Sequence, residues 1–344
     1  MGKLKEGVTK AVLGTIVIFL IFGLNMALAE DLLVYTALED DEIPRYLALF
    51  KKSHPDINVK IVRDSTGIMT AKILAEKDNP RADVVWGTAT TSLMLADQAG
   101  ILAPYSPKGL DRVQKKMRHS SSVPYWVGIK AWMTGFCVNT EEMKYLKLPV
   151  PENYDDLLNP VYKGHLAMPN PASSGTGFLT VSAILQMKGE QAGWAYLDKL
   201  HKNIARYTHS GSKPCKIAGT GELPIGISFA YRGFMQRKKG EPIITIFPKD
   251  GSGWEVEANC LIKKPNIKKA AKTFLDWAIS EDVMKEYAKV YPVTAYMTGV
   301  PIPDGFPAKP ESQLIDNDFQ WAAANRKRIL AEWSKRYEGK NDVK

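Results

Sequence analysis

The sequence predicts a two-lobed α/β fold, each lobe a mostly parallel sheet flanked by helices, with a hinge of two crossing strands. Three observations predict it. Short apolar runs alternate with helical stretches from Asp31 to Gly100, the pattern of βαβ units on a parallel sheet. The alternation restarts near Glu141. Between and after these blocks, the segments 124–139 and 255–262 read as extended strands that leave the first block and return to it. The chain of 344 residues is long enough for two sizeable cores. The lobes are placed at 30–130 with 257–310, and at 131–256 with 311–344.

In chain order, Lys3, Lys5 and Lys10 precede an apolar run from Ala11 to Leu24, and Ala27-Leu-Ala29 follows. This is a secretory signal peptide over residues 1–29, cut after Ala29; the run falls short of the roughly 20 residues of a membrane span. The mature chain is therefore expected in the periplasm. The formal charge of +9 is spread along the sequence. It reads as a solvated surface that speeds encounter with anions, and no basic-aromatic pattern points to a nucleic-acid partner. Three cysteines in an oxidising compartment allow at most one bridge. Cys137 and Cys260 lie in apolar strand-like runs, where a buried free thiol is the commoner outcome.

Strands are expected at Asp31–Thr36, Ile57–Arg63 and Ala82–Trp86, each followed by a helix. Right-handed crossovers bring the loops Thr36–Asp41, Asp64–Gly67 and Gly87–Thr91 to one sheet edge, where ligands bind in open α/β sheets. Pro124–Asn139 reads as paired strands crossing to the second lobe. There the strand His165–Met168 runs into Pro169-Asn-Pro-Ala-Ser173-Ser174-Gly175-Thr176-Gly177-Phe178. Two prolines bar a helix, then hydroxyls and glycines open an apolar helical run. Read alone, this is a helix cap and turn. Facing three hydroxyl-rich loops, it becomes one jaw of an anion clamp, because a helix start offers free N–H groups. Glu190–His201 is expected as a helix, Ser210–Pro214 as a loop and Leu223–Tyr231 as a buried strand. Lys268–Ile279, Ser280–Ala288 and Asp318–Arg336 complete the chain as helices.

Nothing in the sequence demands catalysis. The five histidines show no ligand spacing and no CxxC occurs, so no metal site or cofactor is expected. Ser173 and Ser174 stand outside a G-x-S-x-G elbow, and the glycine run lacks a P-loop lysine. A secreted hydrolase of phosphate esters is the rival from another class, and a sensor that presents a ligand to a receptor is another. The expected site is a binder's. Ser65, Thr66, Ser173, Ser174, Thr176 and the N–H groups of Gly67, Gly175 and Gly177 wrap a tetrahedral oxyanion, with Thr88 in the third loop. Glu39 or Asp40 meets an ammonium at the other end. Trp86 and Tyr231 are the stronger wall candidates, with Trp126 and Trp254 behind them.

Several segments carry a resemblance: Val34-Tyr-Thr-Ala-Leu-Glu-Asp-Asp41, Arg63-Asp-Ser-Thr-Gly-Ile68, Thr70–Glu76, Ala82-Asp-Val-Val-Trp-Gly87, Phe247-Pro-Lys-Asp-Gly251 and Lys268–Trp277. Together they resemble the periplasmic ferric-iron and phosphonate binding proteins of ABC importers, and among these the 2-aminoethylphosphonate-binding proteins. The resemblance covers nearly all of the mature chain. It implies a type II periplasmic binding protein fold, a monomer without enzymatic activity, and delivery of a small ligand to a membrane permease. Glu39 stands where the iron binders have a histidine, Thr88 lies near their carboxylate, and Ala230-Tyr231 replaces their tyrosine pair. These departures imply an aminophosphonate ligand. A ferric-ion binder and a phosphorylated-sugar or organophosphate binder are the alternatives within the class.

Overall fold

The computed structural model describes residues 30–342; the expected signal peptide lies outside the described residues. The first lobe begins with β1 (Glu30–Thr36), α1 (Ile43–Ser53), β2 (Ile57–Arg63), α2 (Thr66–Ala75), β3 (Val84–Ala89), α3 (Thr90–Gln98) and the short β4 (Leu102–Ala103). β1 pairs in parallel with β2 on one side and β3 on the other. All six residues of β3 are buried, as helices covering both faces of a parallel sheet require.

β5 (Val127–Asn139) is one strand of 13 residues, buried throughout, where the sequence suggested a pair. The Asn139 side chain ends it by accepting from the Glu141 and Glu142 amides, which caps α4 (Thr140–Tyr145). The second lobe follows as β6 (Leu166–Pro169), α5 (Gly175–Lys188), α6 (Glu190–Asn203), β7 (Ile204–Thr208), α7 (Lys213–Gly219), β8 (Ile225–Phe229), α8 (Ala230–Lys238) and β9 (Ile243–Ile246). β10 (Trp254–Ile262) returns to the first lobe, which α9 (Lys269–Ala278) and α10 (Glu281–Ala288) complete, and α11 (Phe319–Tyr337) closes the chain. The strands run in the order β2-β1-β3-β10-β5-β8-β6-β7.

Two cores flank the crossing strands. One gathers Trp86, Phe274, Trp277 and Tyr287 with β1 and β3; the other gathers Phe136, Tyr154, Trp194 and Trp333. A smaller cluster of Trp132, Leu179, Phe229, Tyr231 and Tyr291 lies between them. Two elements depart from expectation. Tyr231 sits in the first turn of α8 rather than at a strand end, and α7 occupies part of the expected loop at Ser210–Pro214. No helix among the described residues is long and apolar enough to cross a membrane.

Cys137 is not free. It is bonded to Cys215, because the first turn of α7 packs on β5 and brings the two side chains together. Cys260 on β10 remains a free buried thiol, and burial pushes its pKa up. The bridge spans 78 residues of sequence, so it restricts the unfolded chain strongly. Replacing both Cys137 and Cys215 by serine is expected to cost about 2–4 kcal/mol in a guanidinium titration. A thiol reagent should meanwhile label Cys260 only after unfolding. Loss of less than about 0.5 kcal/mol would show that the bridge is dispensable.

Candidate functional site

Two helix starts from opposite lobes meet at one cavity. Ser65 is the N-cap of α2 and does not cap its own helix with its side chain. Ser174 is the N-cap of α5, and its Oγ accepts from the Gly177 amide at 3.2 Å. The cavity is lined by Ala37, Glu39, Arg63, Ser65, Thr66, Trp132, Ser174, Gly175, Thr176, Gly211, Phe229 and Glu257. Its lining therefore combines hydroxyls and first-turn amides with two aromatic and three charged side chains.

The lobes touch through backbone. The Gly67 amide donates to the Ser173 carbonyl at 3.0 Å. A Cβ at Gly67 would lie 2.1 Å from the Ala172 oxygen, and one at Gly175 would lie 2.6 Å from Thr66 Oγ1. Only glycine at these two positions lets the jaws come this close.

Of the expected site residues, the structure brings Glu39, Ser65, Thr66, Ser174, Gly175 and Thr176 to the cavity. The others are engaged elsewhere. The Gly67 amide is used by Ser173, and the Ser173 hydroxyl donates to the His209 carbonyl at 2.7 Å. The Gly177 amide is consumed by its own cap. Trp86 is a core residue, edge-on to Tyr46 and Phe274, with its Nε1 donating to Tyr287 at 3.1 Å. Tyr231 is stacked on Tyr291 at 4.8 Å and does not line the cavity. Trp126 is buried in the first core, and Trp254 Nε1 donates to the Ile315 carbonyl.

The third loop does not reach the site because β10 lies antiparallel beside β3. Thr90 donates to the Val256 carbonyl at 3.1 Å and Thr91 to Glu255 at 2.7 Å. Thr88 Oγ1 is buried without a partner, paired opposite Ala258 and away from the cavity.

Arg63, Trp132, Phe229 and Glu257 were not among the expected site residues. Glu257 and Lys130 do carry a signal, since each is a charge inside a mostly apolar strand run, and they are register partners. Lys130 Nζ lies 2.9 Å from Glu42 Oε1 and 2.8 Å from Glu257 Oε2. The ammonium is therefore shared between the two carboxylates. Burial pushes the Glu257 carboxyl up to about 7, against the opposing pull of Lys130. Glu39 is already held, 2.7 Å from Arg232 Nη2 and 3.6 Å from Arg63 Nη2. Asp40 is turned outward and lies 3.4 Å from Arg63. Glu39 and Glu257 both line the cavity, and each already has a cationic partner.

The signature of the bacterial extracellular solute-binding proteins matches residues 79–325. The periplasmic binding protein AfuA of Actinobacillus pleuropneumoniae, solved with exogenous fructose-6-phosphate bound, superposes with a TM-score of 0.83 at 28% identity, covering 90% of this chain and 99% of that one. An uncharacterized protein of Haemophilus influenzae is 29% identical over 81% of this chain and 82% of its own. The Fe(3+)-binding periplasmic protein of Serratia marcescens is 28% identical over 64% of this chain and 63% of its own. The architecture is the two-lobed type II fold of periplasmic binding proteins.

Glu255, which takes up Thr91 behind the cavity, is a fully enclosed carboxyl. Burial pushes it up to about 7 from an ordinary 4.5, against the Thr91 hydrogen bond and the Arg326 charge. The folded state thus holds a proton between pH 4.5 and 7 that the unfolded state releases, so this group makes stability fall as pH rises through that window. Glu255→Gln is expected to match the wild type near pH 4 and to exceed it by about 3 kcal/mol above pH 7.5, read from urea midpoints across pH. Parallel pH profiles would show that Glu255 ionises normally.

Proposed function

We propose, for a chain that belongs to the bacterial extracellular solute-binding proteins, that its cargo is 2-aminoethylphosphonate or a close organophosphonate, handed to an ABC permease. The observation that carries this reading is the convergence of both jaws on one cavity that Glu257, a carboxyl from a crossing strand, also lines. Ser65 and Thr66 from one lobe and Ser174, Gly175 and Thr176 from the other present hydroxyls and helix-start amides. Such donors bind a tetrahedral oxyanion through charge-assisted hydrogen bonds without any metal. Glu257, in the same lining, accepts an ammonium, whose positive charge also favours the ionised form of that carboxyl.

The space open to the centre of a water-sized sphere is ≈ 30 Å³, about two waters' worth, so any organic cargo requires the lobes to part further than they lie here. Ferric ion fits less well. Lys130 sits 3.4 Å over the Tyr291 ring, a cation where a trivalent metal would need anions. Among the described residues no group of three or more His, Cys, Asp or Glu could hold a metal ion.

A phosphorylated sugar is the second reading, favoured by the likeness to a protein solved with fructose-6-phosphate. Trp132 and Phe229 would flank a sugar ring, with Arg63, Glu39 and Glu257 at its hydroxyls; a hexose needs the lobes further apart than they lie here. Both readings describe a carrier rather than an enzyme.

Calorimetry on the mature protein with 2-aminoethylphosphonate, ethylphosphonate, inorganic phosphate, fructose 6-phosphate and ferric citrate separates them. The aminophosphonate is expected to bind tightest. Glu257→Gln should weaken it by about 1.5–3 kcal/mol while leaving ethylphosphonate nearly unchanged. Equal losses for both compounds would remove the amine role, and tight binding of ferric citrate alone would defeat the reading altogether.

A further inference from the structure

Arg232 lies in the first turn of α8 in the second lobe, and its partners lie in the first. Its Nη2 donates to Glu39 Oε2 at 2.7 Å and to Asp41 Oδ1 at 3.0 Å, and its Nη1 donates to Asp41 Oδ2 at 2.8 Å. The neighbouring Tyr231 hydroxyl is 3.4 Å from Asp41. Only 2% of the Arg232 side chain is exposed, yet it does not line the cavity. We propose that Arg232 is the closure latch of this protein, a positioning residue that draws the Ala37–Asp41 loop onto the second lobe and sets how long the cleft stays shut.

Three features separate a latch from a permanent brace. The contact joins residues on opposite sides of the cleft, so opening must break it, while neither the α8 fold nor the α1 fold depends on it. It is imperfectly satisfied, because Arg232 Nε is buried without a partner. Its acids are near water, with Asp41 34% exposed, so opening rehydrates all three charges. Burial works against the Arg232 charge, and the hydrogen bonds of Asp41 with the charge of Glu39 outweigh it. Tyr231 also stacks on Tyr291 across this rim, and the other polar contacts are single: His209 Nε2 lies 3.3 Å from Asp64 Oδ1, Arg237 Nη2 donates to the Asp304 carbonyl at 2.9 Å, and the Gly67 amide meets Ser173. Among these polar contacts, Arg232 makes the bidentate charged one.

The latch goes beyond the cargo reading and holds for any cargo, so the test begins without one. Ligand-free wild type, Arg232→Met, Arg232→Lys and Asp41→Asn are compared by small-angle X-ray scattering and by hydrogen exchange at the Gly67 amide, which is covered only when the lobes meet. Arg232→Met is expected to enlarge the radius of gyration and to speed Gly67 exchange about tenfold, with amides of β1 and β5 unchanged. Arg232→Lys should recover part of the effect, since one point charge replaces a fork. Asp41→Asn, on an accessible loop, keeps the question open to test if Arg232→Met does not fold. Equal radii and equal Gly67 exchange in wild type and variants overturn the proposal, as does a general rise in exchange that includes β1 and β5. With 2-aminoethylphosphonate as the probe, stopped-flow fluorescence of Trp132 should show dissociation about tenfold faster in Arg232→Met. The amine-free ethylphosphonate should change equally, unlike the response of Glu257→Gln. If the aminophosphonate does not bind at all, the cargo reading fails and the ligand-free measurements still decide the latch.

Discussion

β5 and β10 belong to both lobes at once, and everything at the cleft depends on how they pair. They run antiparallel from Trp254 opposite Met133 to Asn259 opposite Val127, with Glu257 opposite Lys130. Beyond Met133 the same β5 pairs with β8 and β9 of the second lobe. A slip of one residue would turn every side chain to the other face, sending Glu257 and Lys130 away from their neighbours and Trp132 away from the cavity wall. The register is protected because both strands are mostly apolar and buried on both sides. The few charges they carry find partners only in this alignment.

Those charges explain why the cleft is acidic without being open to any cation. Glu39, Asp41, Glu42 and Glu257 face Arg63, Lys130 and Arg232 within the reach of ion pairs. Lys130 is fully buried and divided between Glu42 and Glu257, while Tyr46 and Tyr291 donate to Glu42. Buried ions of this kind gain little net stability over apolar packing. Their effect is positional: they fix Glu39, Glu42 and Glu257 in place around the cavity and the crossing strands.

The parallel sheet of the first lobe was legible because β1, β2 and β3 are short apolar runs separated by helices of ordinary length. The second lobe was harder. Ile225–Phe229 runs on without a break into Ala230 and Tyr231, so nothing local marks the change from strand to helix. α7 hides in a stretch rich in serine, glycine and proline. At the site, the hydroxyls at the two helix starts were readable from composition alone. The destinations of Gly67 and Ser173 were not, because the two are bonded to each other across lobes that are distant in sequence. Trp86 looked like a wall because it stands near a strand end, but that strand is covered by β10, which arrives about 170 residues later. The Cys137–Cys215 pairing likewise depends on α7 folding over β5, which three cysteines in a sequence cannot specify.

The contact between the jaws is backbone against backbone, and this has a consequence for how such a protein can diversify. The bite is set by the main chain at Gly67 and the Ala172–Ser173 carbonyls, so it is largely indifferent to side-chain change elsewhere. Arg63, Trp132, Phe229 and Glu257 sit on the walls and take no part in that contact. Descendants of this chain could exchange them for a different wall while inheriting an unaltered contact between the jaws. Variation that retunes cargo should therefore collect on the walls, while the jaws stay nearly invariant.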